Sequence, residues 1–162
     1  MLRSAAETLF LGSHINRIDA KGRIAAPADF RRALDLESFN GFFCLPSLRG
    51  PFIDCGGRDY IASLQSMVVE LDPFDPDREA LQEWFTAETR RVSFDADGRF
   101  ILPPHLREHA RLEDSAYFVG LGASFQIRSG EGAEARKNEI AERARAALSR
   151  LRNPAPPAEA KP

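Results

Sequence analysis

Two arginines that each follow a glycine, Arg23 in Asp19-Ala-Lys-Gly-Arg and Arg99 in Asp95-Ala-Asp-Gly-Arg, carry the most specific chemistry in the sequence. A guanidinium is a planar fork that can bridge two acceptors on a guanine edge or grip a phosphate, and a neighbouring glycine lets backbone approach backbone. Lys21 adds a point charge to the first element, whereas Asp97 puts a carboxylate at the equivalent place in the second. The same residues allow a structural reading, in which Arg23 pairs with Asp19 and Arg99 with Asp95 to stabilise hairpins. A separate pattern, His105-Leu-Arg-Glu108-His109, has the HxxEH spacing of inverted zinc peptidases, in which two histidines one helical turn apart hold metal and the glutamate activates water. Its surroundings argue for coincidence: the helix is short, its repeat partner at 28–33 has no histidine, and no third ligand is identifiable. No Walker, Rossmann or nucleophile-elbow pattern is present. The expectation is a protein with no catalytic residues, no metal site and no cofactor.

The elements that position these arginines are copies of one unit. Residues 19–34 and 95–110 align without a gap at an offset of 76, with six of 16 positions identical: Asp19/Asp95, Ala20/Ala96, Gly22/Gly98, Arg23/Arg99, Pro27/Pro103 and Arg31/Arg107. Within a copy, a strand-like pattern leads into the Asp-x-x-Gly turn. Gly22 and Gly98 permit the positive φ that reverses the chain, and a second strand follows. Pro27 and Pro103 then stop that strand and open short helices at Ala28–Leu34 and near His105–Ala110. Return strands are expected at Phe42–Leu45 and Tyr117–Leu121, with one more at Ser124–Arg128. A unit this small cannot bury its own core, so the two copies must share one, with pseudo-twofold symmetry.

Between the copies, Asp59 is the expected N-cap of a helix over Tyr60–Leu71, with Ile61, Leu64, Val68 and Leu71 on one face. Asp75-Pro76 opens a second helix carrying Leu81, Trp84 and Phe85. This connector is acidic (Glu70, Asp72, Asp75, Asp77, Glu79), which disfavours it as a nucleic-acid surface. Ala135–Arg152 reads as a C-terminal helix, and the proline-rich end as a disordered tail.

Composition limits the function classes. With 162 residues, 43% apolar content and 15 aromatic residues, of which 12 are Phe, the chain has the material for a packed core. Its net charge of −2 excludes attachment to polyanions by bulk charge. The basic residues gather locally: the first 34 positions hold six against three acidic ones. Cys44 and Cys55 lack metal spacing and read as buried free thiols. No apolar run approaches the roughly 18 residues of a membrane helix. Glu7 interrupts any signal-peptide core, so a cytoplasmic location is expected.

The run Phe10-Leu-Gly-Ser-His-Ile-Asn-Arg-Ile-Asp-Ala-Lys-Gly-Arg, the second Asp-x-x-Gly-Arg, the proline after each and their tandem order resemble the MraZ family of bacterial transcriptional regulators of the division and cell-wall gene cluster. The resemblance covers roughly Leu9 to Arg128. It implies an α+β fold in which tandem SpoVT/AbrB-like βαβ repeats form a swapped-hairpin (double-split) β-barrel, with packing helices and a C-terminal helix. The corresponding organisation is an N-terminal extension at 1–8, repeat 1 at 9–57, a helical connector at 58–88, repeat 2 at 89–130, a C-terminal helix at 131–152 and a disordered tail at 153–162. It further implies a ring-shaped homo-oligomer that binds direct repeats in promoter double-stranded DNA on the nucleoid, as a repressor, without a membrane partner. Carried onto matching positions, Lys21, Arg23 and Arg99 are the DNA-contact residues, followed by Arg17 and Arg31, and Asp19, Gly22, Asp95 and Gly98 form the motif turns. Asp97 departs from the family's usual polar uncharged residue and opposes a phosphate at that tip. The alternative is an AbrB-type antitoxin or a protein-binding barrel; antitoxins of that kind usually carry one copy per chain, and this chain carries two.

Overall fold

The computed structural model describes residues 9–151; the N-terminal extension at 1–8 and the tail at 153–162 lie outside the described residues. The chain divides into a unit ending at Glu131 and a second beginning at Gly132.

In the first unit, β1 (Ser13–Arg17), β2 (Arg23–Ala25), α1 (Ala28–Ala33), β3 (Gly41–Pro46) and β4 (Ile53–Gly56) form one series. A helical hairpin follows, α2 (Arg58–Val68) and α3 (Pro76–Ala87), and then β5 (Arg90–Ser93), β6 (Arg99–Ile101), α4 (Pro104–His109), β7 (Ser115–Gly120) and β8 (Phe125–Ser129) repeat the first series. In the second unit, α5 (Ala133–Ala147) ends in a 3₁₀ turn over Leu148–Arg150. This helix starts two residues before the expected Ala135.

The six longer strands make one antiparallel sheet in the order β1-β7-β8-β4-β3-β5, and β2 and β6 make a separate two-stranded ribbon. Exchanging the repeats (β1 with β5, β2 with β6, β3 with β7, β4 with β8) reverses the sheet order onto itself. The pseudo-twofold axis therefore passes between the central strands β4 and β8, which pair Ile53 with Ile127 and Cys55 with Phe125. Each repeat lends its first strand to the other: β1 pairs with β7 (His14 opposite Phe118), and β5 pairs with β3 (Val92 opposite Phe42).

Two expectations are corrected. The sheet is not a closed barrel, because its edge strands β1 and β5 do not pair with each other. The hairpin turns carry β2 and β6 out of the sheet, and the following prolines cut them to three residues each, too short to bridge its edges. The sequence reading also omitted β4. All four of its residues are buried, so it shows no alternation, and Gly56-Gly57 at its end resembles a turn.

One apolar cluster draws on both repeats. Phe30 of α1, 1% exposed, packs edge-on against Phe10 at 5.5 Å and Phe118 at 6.2 Å, and lies 5.0 Å from Phe125. Its counterpart in α4, Leu106, is fully buried in the same cluster. Neither short helix would persist alone; burial of Phe30 and Leu106 holds each against the sheet. Cys44 and Cys55 face each other across β3 and β4 as buried free thiols, with burial pushing Cys44 up to about 12.

The connector differs from expectation at its start. Gly57, not Asp59, is the N-cap of α2, and the Arg58 N–H donates to Glu37 Oε1 at 3.0 Å, a capping carboxylate brought from 21 residues upstream. Three of the four expected face residues lie on the helix, with Val68 buried and Ile61 and Leu64 half-buried; Leu71 falls past its end at Val68. Asp75 caps α3 by accepting from the Asp77 N–H at 2.9 Å. Trp84 ties that helix to the sheet by donating from Nε1 to Pro46 O at 3.1 Å.

Candidate nucleic-acid interface

The two motif turns are built alike, and the aspartate is their organiser. In the first, the Gly22 N–H donates to Asp19 O at 2.9 Å, and Asp19 Oδ1 accepts from the backbone N–H groups of Lys21 and Arg23 at 2.9 and 2.8 Å. In the second, the Gly98 N–H donates to Asp95 O at 3.1 Å, and Asp95 Oδ1 accepts from Asp97 and Arg99, each at 2.9 Å. A short carboxylate at the first turn position thus satisfies two backbone donors that the reversal would otherwise leave unpaired. Gly22 at φ +82° and Gly98 at φ +75° occupy the left-handed region, which explains the glycine at both places. Both carboxyls are held below their ordinary range. The Arg23 backbone N–H is the leading cause for Asp19, and the Arg99 backbone N–H for Asp95; desolvation opposes each.

The arginines do form the ion pairs considered from the sequence. Arg23 donates from Nε to Asp19 Oδ2 at 2.7 Å. Arg99 Nε lies 3.3 Å from Asp95 Oδ2 without hydrogen-bond alignment, and its Nη2 donates to Asp97 Oδ2 at 3.1 Å. The two side chains remain equally accessible, 31% exposed each. Pairs this open contribute little stability, so their effect is mainly to orient the guanidinium.

The ribbon places both arginines on one surface. Its register sets Arg23 opposite Ile101, Ile24 opposite Phe100 and Ala25 opposite Arg99. Ile24 and Phe100 point into the core at 1% and 2% exposure, so by alternation Arg23, Ala25, Arg99 and Ile101 share the outer face. A cavity of about 220 Å³ lies there, lined by Arg23, Arg99, Ile101, Phe100, Ser93 and Asp95. Lys21 is exposed at the first turn, and Arg17 is exposed at the end of β1.

Arg31 lies elsewhere. It runs from α1 onto the turn of the other repeat, where a Cβ on Gly98 would fall 2.5 Å from its Nη1, 2.6 Å from Cζ and 2.8 Å from Nε. The Arg31 Nε is buried and has no hydrogen-bond partner among the described residues. Arg107, its equivalent in α4, makes the reciprocal approach, with Nη1 3.2 Å from the Cβ position of Gly22. Arg107 also donates from Nη2 to Glu113 O at 3.1 Å and from Nε to Leu112 O at 3.3 Å. The sequence reading did not single out Arg107, although its identity with Arg31 in the repeat alignment was the available signal.

The HxxEH pattern is not assembled as a metal site. His105 and Glu108 are exposed on α4, while His109 Nε2 is 3.0 Å from Gly50 O. Among the described residues, no three of His, Cys, Asp or Glu come together in a way that could hold a metal ion.

The fold is that of a paired-repeat α+β protein, in which an arginine-bearing turn from each repeat leads into a shared two-stranded ribbon from opposite ends. A family model described as "MraZ protein, putative antitoxin-like" matches residues 85–150. A protein from Rickettsia akari named transcriptional regulator MraZ is 40% identical over 119 residues, covering 74% of this chain and 80% of its own length. One of the same name from Rickettsia bellii is 42% identical over 120 residues, with the same coverage. The chain belongs to the MraZ family, whose curated relatives are named as regulators rather than enzymes. Among the described residues, no helix is long and apolar enough to cross a membrane.

Proposed function

We propose that this protein is a sequence-specific DNA-binding transcriptional regulator, acting as a repressor at direct repeats in a promoter of the division and cell-wall gene cluster. The observation that carries the reading is the outer face of the β2–β6 ribbon, where Arg23 and Arg99 lie diagonally across two antiparallel strands. A two-stranded ribbon fits the major groove, and arginine is the residue best suited to guanine and phosphate there. Asp19 holds Arg23 through Nε and leaves its Nη fork without a hydrogen bond among the described residues. Arg23 and Arg99 read bases or grip the flanking phosphates, Lys21 and Arg17 add phosphate contacts, and Arg31 serves the second turn.

One ribbon offers few phosphate contacts, so a lone subunit binds weakly. A ring-shaped homo-oligomer set on successive direct repeats raises affinity through effective concentration. The protomer is an AbrB-like swapped-hairpin unit, with repeats at 9–57 and 89–130 around the 58–88 connector and a C-terminal helix at 131–152. It works in the cytoplasm on the nucleoid. The acidic connector faces away from the polyanion.

The test is Arg23→Ala and Arg99→Ala in gel-shift titrations, with oligomer mass checked by light scattering. Loss of specific binding with unchanged mass supports the reading. Wild-type affinity in the Arg23→Ala protein removes Arg23 from the site.

A further inference from the structure

We propose that the two helix arginines are crossed positioning residues: Arg31 of the first repeat fixes the Asp95–Arg99 turn of the second, and Arg107 of the second fixes the Asp19–Arg23 turn of the first. The two repeats share one ribbon, each supplying one of its strands. Because β2 pairs antiparallel with β6, with Ala25 opposite Arg99 and Arg23 opposite Ile101, the end of each ribbon strand and the helix that follows it lie beside the other repeat's turn. The approach distances of 2.5 Å at Gly98 and 3.2 Å at Gly22 show both guanidinium groups against the one backbone position that has no Cβ. A side chain at Gly98 would displace the Arg31 guanidinium, while one at Gly22 would press only slightly on Arg107, so at Gly98 glycine serves two needs at once, the positive φ and the space.

Further contacts make the crossing specific. The Ala26 N–H, at the end of β2, donates to Gly98 O at 3.1 Å, so the first repeat grips the second turn through its backbone as well. Gly98 is itself buried, although its neighbours Ala96 and Asp97 are exposed. Arg107 is braced by the Leu112 and Glu113 carbonyls, an arrangement that fixes the direction of its fork. The consequence, which rests on the DNA-contact reading of Arg23 and Arg99, is that neither motif arginine is presented by its own repeat alone. Damage to one repeat's helix degrades the other repeat's contact.

Hydrogen exchange by mass spectrometry on the full-length assembly, with promoter binding measured on the same preparations, tests the proposal. Arg31→Ala is expected to speed exchange in segment 95–99 and leave 19–23 as in wild type; Arg107→Ala is expected to do the reverse. Arg31→Lys keeps the charge but lacks the planar plate, so it should speed exchange at 95–99 and weaken DNA binding as Arg31→Ala does, on the order of tenfold, a size usual for coupled neighbours. Unchanged exchange in both segments overturns the proposal, as does equal acceleration of both segments by either variant. Full binding by Arg31→Lys with wild-type exchange overturns it too, and makes Arg31 a phosphate contact. The crossed pattern in a protein that ignores DNA sequence upholds the positioning role and defeats the proposed function alone.

Discussion

The Arg31 guanidinium lies against the α-carbon of Gly98, 67 positions further along the chain, with Nη1 2.5 Å from where a Cβ would stand. Gly22 is equivalent by repeat but less crowded, since Arg107 Nη1 comes no closer than 3.2 Å to its Cβ position. Gly98→Ala must therefore bear both the left-handed backbone and a displaced guanidinium, a cost of about 2 kcal/mol, whereas Gly22→Ala bears mainly the backbone cost, about 1 kcal/mol. Urea unfolding midpoints should rank wild type above Gly22→Ala and Gly22→Ala above Gly98→Ala. Equal midpoints for the two variants would mean that Arg31 yields freely.

Asp97 engages Arg99 Nη2 at 3.1 Å and carries a charge of the same sign as a phosphate. Asp97→Asn should free the Arg99 fork and tighten promoter binding modestly, with a steeper dependence on salt as one more cation meets the backbone. Fluorescence anisotropy across a salt series measures both. An unchanged slope and affinity would show that this turn faces away from the duplex.

Acidification should loosen the turns. The folded-state pKa values of Asp19 and Asp95 are depressed, so their contribution is present above the unfolded carboxylate value, about 4, and is lost as pH falls through the folded values. Asp54 is shifted the other way: burial raises it, against hydrogen bonds from Ser47 and Arg49, so its linkage lowers stability as pH rises from the unfolded value toward the folded one. Urea midpoints measured from pH 7 downward should therefore fall less below about pH 4 in Asp19→Asn than in wild type. Asp54→Asn should remove the loss on the rising side.

If many protomers read successive repeats, affinity must grow with repeat number. Titrations against DNA carrying one, two, three and four repeats should show a gain from the first to the second much larger than a statistical factor. Equal affinity per repeat throughout would mean that subunits bind independently.

The parts of the fold that were readable in the sequence are those with local causes. Asp-x-x-Gly-Arg followed by proline specifies a turn, a short strand and a helix start through backbone demands that need no tertiary information, and it does so twice. The parts that were not readable have distant causes. Strand β4 is buried on both faces and lacks the alternation that marks a half-exposed strand. The cap of α2 comes from Glu37, far upstream, so the local Asp59 was a plausible but wrong choice. The motif ion pairs were anticipated, being only four residues apart, while the position of Arg31 over Gly98 depends on the pairing of β2 with β6, which one sequence does not display. Closure of a barrel was likewise a tertiary matter, decided by where the short β2 and β6 strands go.

The most direct test of the central claim is binding of the full-length protein to the DNA upstream of its own gene, with the direct repeats intact or scrambled at constant length and base composition. At moderate ionic strength the account predicts tight binding to the intact sequence, and about a thousandfold weaker binding to the scrambled one, at the low end of the usual separation between specific and non-specific sites. Equal affinity for the two would contradict it.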